Sequence, residues 1–247
     1  MPSWTLALVS GAIGGATLLI GAALAWFLHV PAKLTAAISA FGAGVLISAL
    51  AYELVQEAAD DGGLVPTVLG TLAGAVVFVG ADALLTRAGA GNRKSAKGSG
   101  GGGGAVIAAG ALIDGIPESI VLGLSVAQGG AGAAISVPIV AAVAISNLPE
   151  GLSSTVGMKA DGRTARYVFT VWGAIAGISA IAALVGFLVF ASAPGALVAF
   201  VTTVAAGAIL AMISNTMIPE AFDRDNVLTG LYAVLGFVTA FALHSVS

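Results

Sequence analysis

The sequence predicts an all-α membrane protein with eight transmembrane helices in a 3+2+3 inverted-repeat arrangement. The 247 residues are 58% hydrophobic and only 9% charged, with a mean hydropathy of +1.06, whereas a soluble domain carries about 25% charged residues. Eight apolar stretches are each long enough to cross a bilayer core of about 30 Å. Related short strings also recur in stretches that run in opposite directions, which is typical of inverted repeats.

The eight apolar stretches form a single transmembrane domain over residues 1–247. Backbone groups in lipid must pair within their own segment, so each stretch is predicted to be a helix. The spans lie at about 4–28, 34–57, 64–86, 105–126, 133–158, 165–190, 196–219 and 226–246. The first is interpreted as a span and not as a cleaved signal, because no basic segment precedes it.

The basic residues predict the orientation of the spans. All nine Lys and Arg fall on one side if the spans alternate: Lys33, Arg87, Arg93, Lys94, Lys97, Lys159, Arg163, Arg166 and Arg224. The positive-inside rule makes that side the cytoplasm and places both termini outside. The Ala- and Gly-rich composition favours the plasma membrane of a prokaryote, with membrane lipid as the surroundings of a multi-pass protein.

The longest predicted loop, at about 87–104, is rich in Gly and Ser, which is typical of a flexible cytoplasmic tether. A phosphate-binding loop is not predicted, because no Gly precedes Lys94 in the required register. The net charge of −3 gives no reason to expect a nucleic-acid partner, and the absence of Cys excludes disulfides and thiolate metal sites.

Two related strings place a Pro-Glu pair in the middle of an apolar span. DGIPES begins at Asp114 and contains Glu118, and SNLPEG begins at Ser146 and contains Glu150. A carboxylate at that depth costs about 2.5–3.5 kcal/mol on insertion scales. The simplest reason to accept this cost is a buried site for a positive charge.

The spacing within these strings predicts which side chains share the site. Residues four apart lie on one face of a helix, and both strings come out near the membrane midplane. We therefore predict a metal site formed by Asp114, Glu118, Ser146, Asn147 and Glu150.

The prolines of the two strings suggest that both helices are broken. Pro117 and Pro149 lack an N–H, so the carbonyls at or near Ile113 and Ile145 lose a partner and become available to a cation. Simple kinks are the alternative interpretation.

Acidic residues at the ends of spans two and seven suggest a path to the site. Glu53 and Glu57 are predicted to form an entrance that concentrates cations, whereas Asp60 and Asp61 alone fit a solvated helix end. The string YELVQEA in span two is related to NTMIPEA in span seven. At the cytoplasmic end of span seven, Glu220, Asp223 and Asp225 form either an exit or an ordinary polar loop. His29 and His244 lie at span ends, so no imidazole-rich zinc site is predicted.

These residues resemble the ZIP (Zrt/Irt-like) family of divalent metal transporters, in its prokaryotic branch. The family pattern in spans four and five is His-Asn-x-Pro-Glu-Gly or a close variant, and FELVPEA-like endings occur on spans two and seven. The resemblance implies a transporter that moves zinc or a related ion such as manganese, iron or cadmium toward the cytoplasm. It also implies a four-helix transport unit that slides against a scaffold, and a homodimer.

The chain departs from the family pattern at several ligand positions. Asp114 and Ser146 stand where metal-binding His is usual, Gly115 replaces Asn, and Ala180 stands where span six often has Glu. A two-metal centre is therefore expected to be reduced to one all-oxygen site. Oxygen ligands suit harder cations such as manganese, although zinc also accepts carboxylates.

Two other functions fit parts of the sequence. An intramembrane hydrolase would use the paired carboxylates for acid–base chemistry, but no nucleophile–base pair is available, so an enzyme is not predicted, and neither is a cofactor. A proton-coupled carrier, or a degenerate relative that binds metal without moving it, would explain the missing His ligands.

Overall fold

The structure, a computed structural model, describes residues 2–87, 103–128, 135–225 and 227–246. The described residues form eight helices and no strand, which confirms the all-α class and the number of predicted helices. The helices are α1 Ser3–Phe27, α2 Ala32–Gly62, α3 Leu64–Leu85, α4 Gly103–Gln128, α5 Val137–Ala160, α6 Ala165–Phe190, α7 Gly195–Arg224 and α8 Thr229–Val246. The predicted tether lies, over residues 88–102, outside the described part of the chain.

Seven of the described helices are long and apolar enough to cross a membrane. The eighth, α8, is also apolar but shorter over the residues that the structure describes. The chain is therefore a multi-pass helical membrane protein.

The helix starts follow from residues that favour helix initiation. Pro2, Pro31 and Pro194 directly precede α1, α2 and α7, where a fixed φ and a missing N–H fit the first turn. Ser136 and Thr164 cap α5 and α6, because their side-chain oxygens accept hydrogen bonds from backbone N–H groups of the first turn.

Helices α2 and α7 contain irregular segments that the sequence did not predict. Leu50–Gln56 in α2 and Ile213–Met217 in α7 are π-helical. Such wider turns are rare and occur frequently at functional sites. Both helices also continue beyond their predicted ends at 57 and 219, to Gly62 and Arg224.

Four helices, α1, α4, α5 and α6, pack into one group, which we call the carboxylate unit because it carries Asp114, Glu118 and Glu150. Its helices approach closely at glycines. A Cβ added to Gly21 would collide with a backbone carbonyl of α5, and one added to Gly123 would collide with a carbonyl of α6. Small residues allow this packing in lipid, where apolar surface gains little from association.

Polar side chains add hydrogen bonds between the helices of the carboxylate unit. The Lys159 Nζ of α5 donates to the carbonyl oxygen of Trp26 at 3.0 Å, near the end of α1. The Trp172 Nε1 of α6 donates to Thr155 Oγ1 at 2.9 Å, and both side chains are buried.

The other four helices, α2, α3, α7 and α8, form the π unit, named for its two π-helical segments. Glycines again set the contacts, because α2 packs on α8 and α3 packs on α7 with almost no space for a side chain. The glycines at which an added Cβ would collide with a facing carbonyl are Gly44 and Gly236 in the first pair, and Gly74 and Gly207 in the second.

The two units meet chiefly where α2 contacts α5 and where α4 contacts α7. A buried cluster of Leu, Ile, Val, Met and Ala side chains fills this interface. The close backbone approach here is looser than within the units: a Cβ on Gly42 would lie 3.3 Å from the carbonyl oxygen of Ile145. Side chains, more than backbone, therefore separate the two units.

The helix ends define two sides of the molecule. We call the side where α1 ends and α2 begins the basic side, since Lys33 lies there and Lys159 contacts Trp26. The opposite side, where α2 ends with Glu57, Asp60 and Asp61, is the acidic side.

Candidate cation site

The two Pro-Glu pairs bring their carboxylates to one cleft between the units. Glu118 of α4 and Glu150 of α5 are 2% and 9% exposed, and both line this cleft together with Ser146 and Ser153 of α5. Positions 146, 150 and 153 follow one face of a helix, since residues three and four apart are neighbours. The midplane carboxylates that the sequence predicted therefore share one cleft.

A hydrogen bond joins the two helices at the cleft. The Ser146 hydroxyl lies 3.4 Å from Glu118 Oε1 and 2.9 Å from the carbonyl oxygen of Val143. The first distance is long for an O–H···O bond, whose usual range is about 2.5–3.0 Å. The bond from Ser146 to Glu118 is therefore weak, and the shorter bond of the Ser146 hydroxyl is the one to Val143 within α5.

Two predicted ligands, Asp114 and Asn147, lie away from the cleft lining. The amide of Asn147 donates from Nδ2 to the carbonyl oxygen of Gly14 at 3.0 Å, so it ties α5 to α1. Asp114 is 1% exposed. Among the described residues, no three His, Cys, Asp or Glu side chains come close enough to hold one ion, so the structure does not gather Asp114, Glu118 and Glu150 into a triad.

The prediction of broken helices is wrong for both prolines. Helix α4 runs through Pro117 and helix α5 runs through Pro149 without interruption. The carbonyl of Ile145, one turn before Pro149, faces Gly42 of α2. The irregular backbone lies instead in the two π-helical segments of the π unit.

The cleft extends from the two carboxylates toward the basic side. Helix α2 contributes Thr35 and Ser39 to its wall, and the end of α7 contributes Glu220 and Arg224. Its volume is about 450 Å³ when the open mouth is included. Hydroxyl and charged groups thus share the cleft wall with apolar residues such as Met212 and Met217, and Glu220 lines the same cleft as Glu118.

An apolar layer lies next to the cleft, toward the acidic side. It surrounds a small space lined by Leu46, Ala49, Leu50, Leu54, Val121, Ile139, Ala142, Val143 and Ile209. On α4, Val121 follows Glu118 by one turn toward the acidic side, and on α5, Val143 precedes Ser146. A hydrated ion cannot cross such a layer cheaply, because nothing in it replaces the water that the ion would lose.

A wide vestibule lies beyond the apolar layer, on the acidic side. Its volume is about 860 Å³ including the open mouth, and its walls carry Glu53, Glu57, Asp60, Asp61, Ser125, Gln128, Ser136 and Ile139. The two predicted entrance residues, Glu53 and Glu57, therefore face one cavity. Asp60 and Asp61 line it as well, although a solvated helix end was the expectation for these two residues.

A histidine that the sequence placed merely at a span end contacts the vestibule. His244 Nδ1 of α8 lies 2.6 Å from Glu53 Oε1, and Tyr52 stacks on the imidazole with ring centroids 5.5 Å apart. Glu53 lies within the π-helical segment of α2. No spacing signal links residues so far apart in the chain, so only the packing of α2 on α8 reveals the pair.

The donor set of the cleft favours cation binding. Two carboxylates and two hydroxyls are oxygen ligands, which suit manganese, magnesium or calcium and are also accepted by zinc. No family model matches this chain, and no curated protein matches it. The geometry of the cleft, the layer and the vestibule therefore carries the functional conclusion.

Proposed function

We propose that this protein is a divalent-cation transporter of the ZIP type, which moves zinc or a related ion from the acidic side to the basic side. The observation that carries the proposal is the pair of buried carboxylates, Glu118 and Glu150, in a cleft that an apolar layer separates from an acidic vestibule. Under the orientation predicted from the basic residues, the basic side is the cytoplasm of a prokaryotic cell.

The order of the three regions supports a transport path. A cation would collect among the acidic groups around Glu53 and Glu57, since a cleft lined by one sign of charge raises the local concentration of counter-ions. It would bind between Glu118 and Glu150 and leave along Thr35 and Ser39. In the conformation described, the cleft opens to the basic side and the apolar layer blocks the acidic side.

Reciprocal packing supports an inverted repeat. The contact of α2 with α8 is matched by that of α3 with α7, and the contact of α1 with α5 by that of α4 with α6. The glycines recur at nearly the same separation: Gly207 follows Gly44 by 163 residues, and Gly236 follows Gly74 by 162 residues. Such repeats provide two related conformations with alternating access.

The proposed ion is a divalent metal bound with part of its water. Two carboxylates and the Ser146 hydroxyl leave coordination positions for water and further oxygen donors, a mode that hard cations such as manganese accept readily. Among the ions expected from the family resemblance, this donor set favours manganese over zinc, since the His ligands that zinc prefers are replaced by Asp114 and Ser146.

Transport assays test the proposal directly. Purified protein in liposomes that contain a metal-sensitive dye should take up Mn²⁺, and Glu118→Gln and Glu150→Gln should each abolish uptake. Asp161→Asn is the matched control, because Asp161 is exposed between α5 and α6. Equal uptake by the control and both Glu variants would reject this site.

A metal binder that does not transport is the second candidate. The absence of a triad of carboxylates among the described residues favours it. Saturable Mn²⁺ binding to the purified protein without uptake in liposomes would identify this function, whereas binding together with uptake would exclude it.

A further inference from the structure

We infer that Ser153 is a further ligand of the transported cation, which it binds through its hydroxyl oxygen one helical turn beyond Glu150. The inference rests on the proposed function, since it assigns another donor to the same site. It extends the site toward the basic side, away from Asn147, and it assigns a role to a residue outside the two Pro-Glu strings.

The hydroxyl of Ser153 is buried and lacks a hydrogen-bond partner among the described residues. The side chain is 5% exposed and lines the cleft with Glu118 and Glu150. Serines inside helices usually bond to a carbonyl three or four residues earlier. Ser146 and Ser119 do so here, at 2.9 Å and 2.6 Å, whereas Ser153 has no such bond.

Because the unpartnered hydroxyl of Ser153 lines the cleft, a cation bound in the cleft would supply its missing contact. Ser153 follows Glu150 by three positions and Ser146 by seven, so the three side chains share one face of α5. Thr35 and Ser39 of α2 line the same cleft. A cation that leaves Glu118 and Glu150 toward the basic side would meet the Ser153 oxygen next, and this oxygen is a hard donor suited to Mn²⁺.

The neighbouring Ser154 provides a matched control. It is 1% exposed, and its hydroxyl also lacks a hydrogen-bond partner within the described ranges. Ser154 does not line the cleft. The two serines thus have the same chemistry, helix and burial, and they differ in access to the cation path.

Replacement of Ser153 by Cys gives a spectroscopic test. The chain contains no Cys, so Ser153→Cys introduces a single thiol that is nearly isosteric with the hydroxyl. On titration with Cd²⁺, a thiolate ligand should produce an ultraviolet sulfur-to-cadmium charge-transfer band. We expect the band in Ser153→Cys and not in Ser154→Cys. A band in neither variant, or equal bands in both, would overturn the inference.

Removal of the hydroxyl gives an independent test by Mn²⁺ binding. Ser153→Ala should bind Mn²⁺ at least about tenfold more weakly than the wild type. Loss of a residue that only supports a metal ligand already weakens binding by about tenfold or more, and Ser153 is proposed to contact the ion directly. Ser154→Ala should bind like the wild type, and equal binding by both variants would contradict the inference. If the wild-type protein itself binds no Mn²⁺, the proposed function fails; if it binds and only the Ser153 variants show no effect, the inference alone fails.

Discussion

Within the carboxylate unit and within the π unit, helices pack so closely that the backbone of one helix contacts a glycine of another. Between the two units, larger apolar side chains fill most of the interface. At Gly44 and Gly123, an added Cβ would collide with a carbonyl oxygen, whereas at Gly42 it would be 3.3 Å away. The difference suggests that each unit is internally rigid, while the apolar interface allows one unit to shift against the other. Sliding of packed helices is a known form of such motion.

The units also differ in the position of their polar groups. The carboxylate unit holds Glu118, Ser146 and Glu150 in the middle of its helices. The π unit contributes acidic residues near the two mouths, Glu57 at the acidic side and Glu220 at the basic side. Under the proposed function, one unit would carry the binding oxygens and the other would supply the acidic residues at the two mouths.

Substitution of the glycines within the units should have the largest effect. In Gly44→Ala and Gly207→Ala the new methyl group meets a backbone carbonyl that cannot rotate away. We expect each to lower the free energy of unfolding by about 1–3 kcal/mol or more, the usual cost of overpacking. Thermal unfolding in detergent measures this, with Gly80→Ala and Gly173→Ala as controls, since nothing lies within 4 Å of either position. Equal unfolding temperatures for all four variants would mean that the units are not locked as described.

Single cysteines should react from opposite sides of the membrane. Ser125 lines the acidic-side vestibule and Ser39 lines the basic-side cleft. A membrane-impermeant maleimide applied from the acidic side should label Ser125→Cys and leave Ser39→Cys unlabelled in the conformation described. Labelling of Ser39→Cys from both sides, without added metal, would show that the apolar layer does not close the path.

A larger residue at the contact between the units should slow transport and leave folding nearly intact. The side chain in Gly42→Val would press on the carbonyl of Ile145, across the interface between the two units. We expect an uptake rate about tenfold lower, which corresponds to an activation free energy about 1.4 kcal/mol higher. The affinity for Mn²⁺ should be unchanged. Gly173→Val is the control, and a loss of affinity equal to the loss of rate would contradict the sliding interpretation.

The Glu53–His244 contact should give the smallest effect. A hydrogen bond to a charged group contributes about 1.5–3 kcal/mol, and the partial exposure of His244 should reduce this to about 1 kcal/mol. A double-mutant cycle of Glu53→Gln and His244→Ala, followed by unfolding in detergent, measures the coupling. Additive effects of the two substitutions would show that the contact contributes nothing to the packing of α2 on α8.

Much of the fold could be predicted because the membrane imposes it. Backbone pairing in lipid makes every long apolar stretch a helix, so the eight helices follow from hydropathy. The π-helical segments could not be predicted, since Leu50–Gln56 contains no Pro or Gly that would mark an irregular turn.

The candidate site was predicted in part for the same physical reason. A carboxylate deep in an apolar span stands out by its cost, so Glu118 and Glu150 could be identified. The direction in which each side chain points around the helix axis decides which of the other predicted ligands reach the cleft. Asn147 follows Ser146 directly, yet it points to Gly14 of α1, while Ser146 faces Glu118. Neither this direction nor the distant partner His244 leaves a signal in local spacing.

Equilibrium binding of Mn²⁺ to the purified protein tests the central claim that Glu118 and Glu150 hold one cation between them. We predict saturable binding of one ion to the wild type and to Asp161→Asn. Binding to Glu118→Gln and to Glu150→Gln should be at least about 100-fold weaker, because loss of a direct ligand should exceed the effect of losing a residue that only supports one. Binding to either Glu variant as tight as to Asp161→Asn would contradict the account.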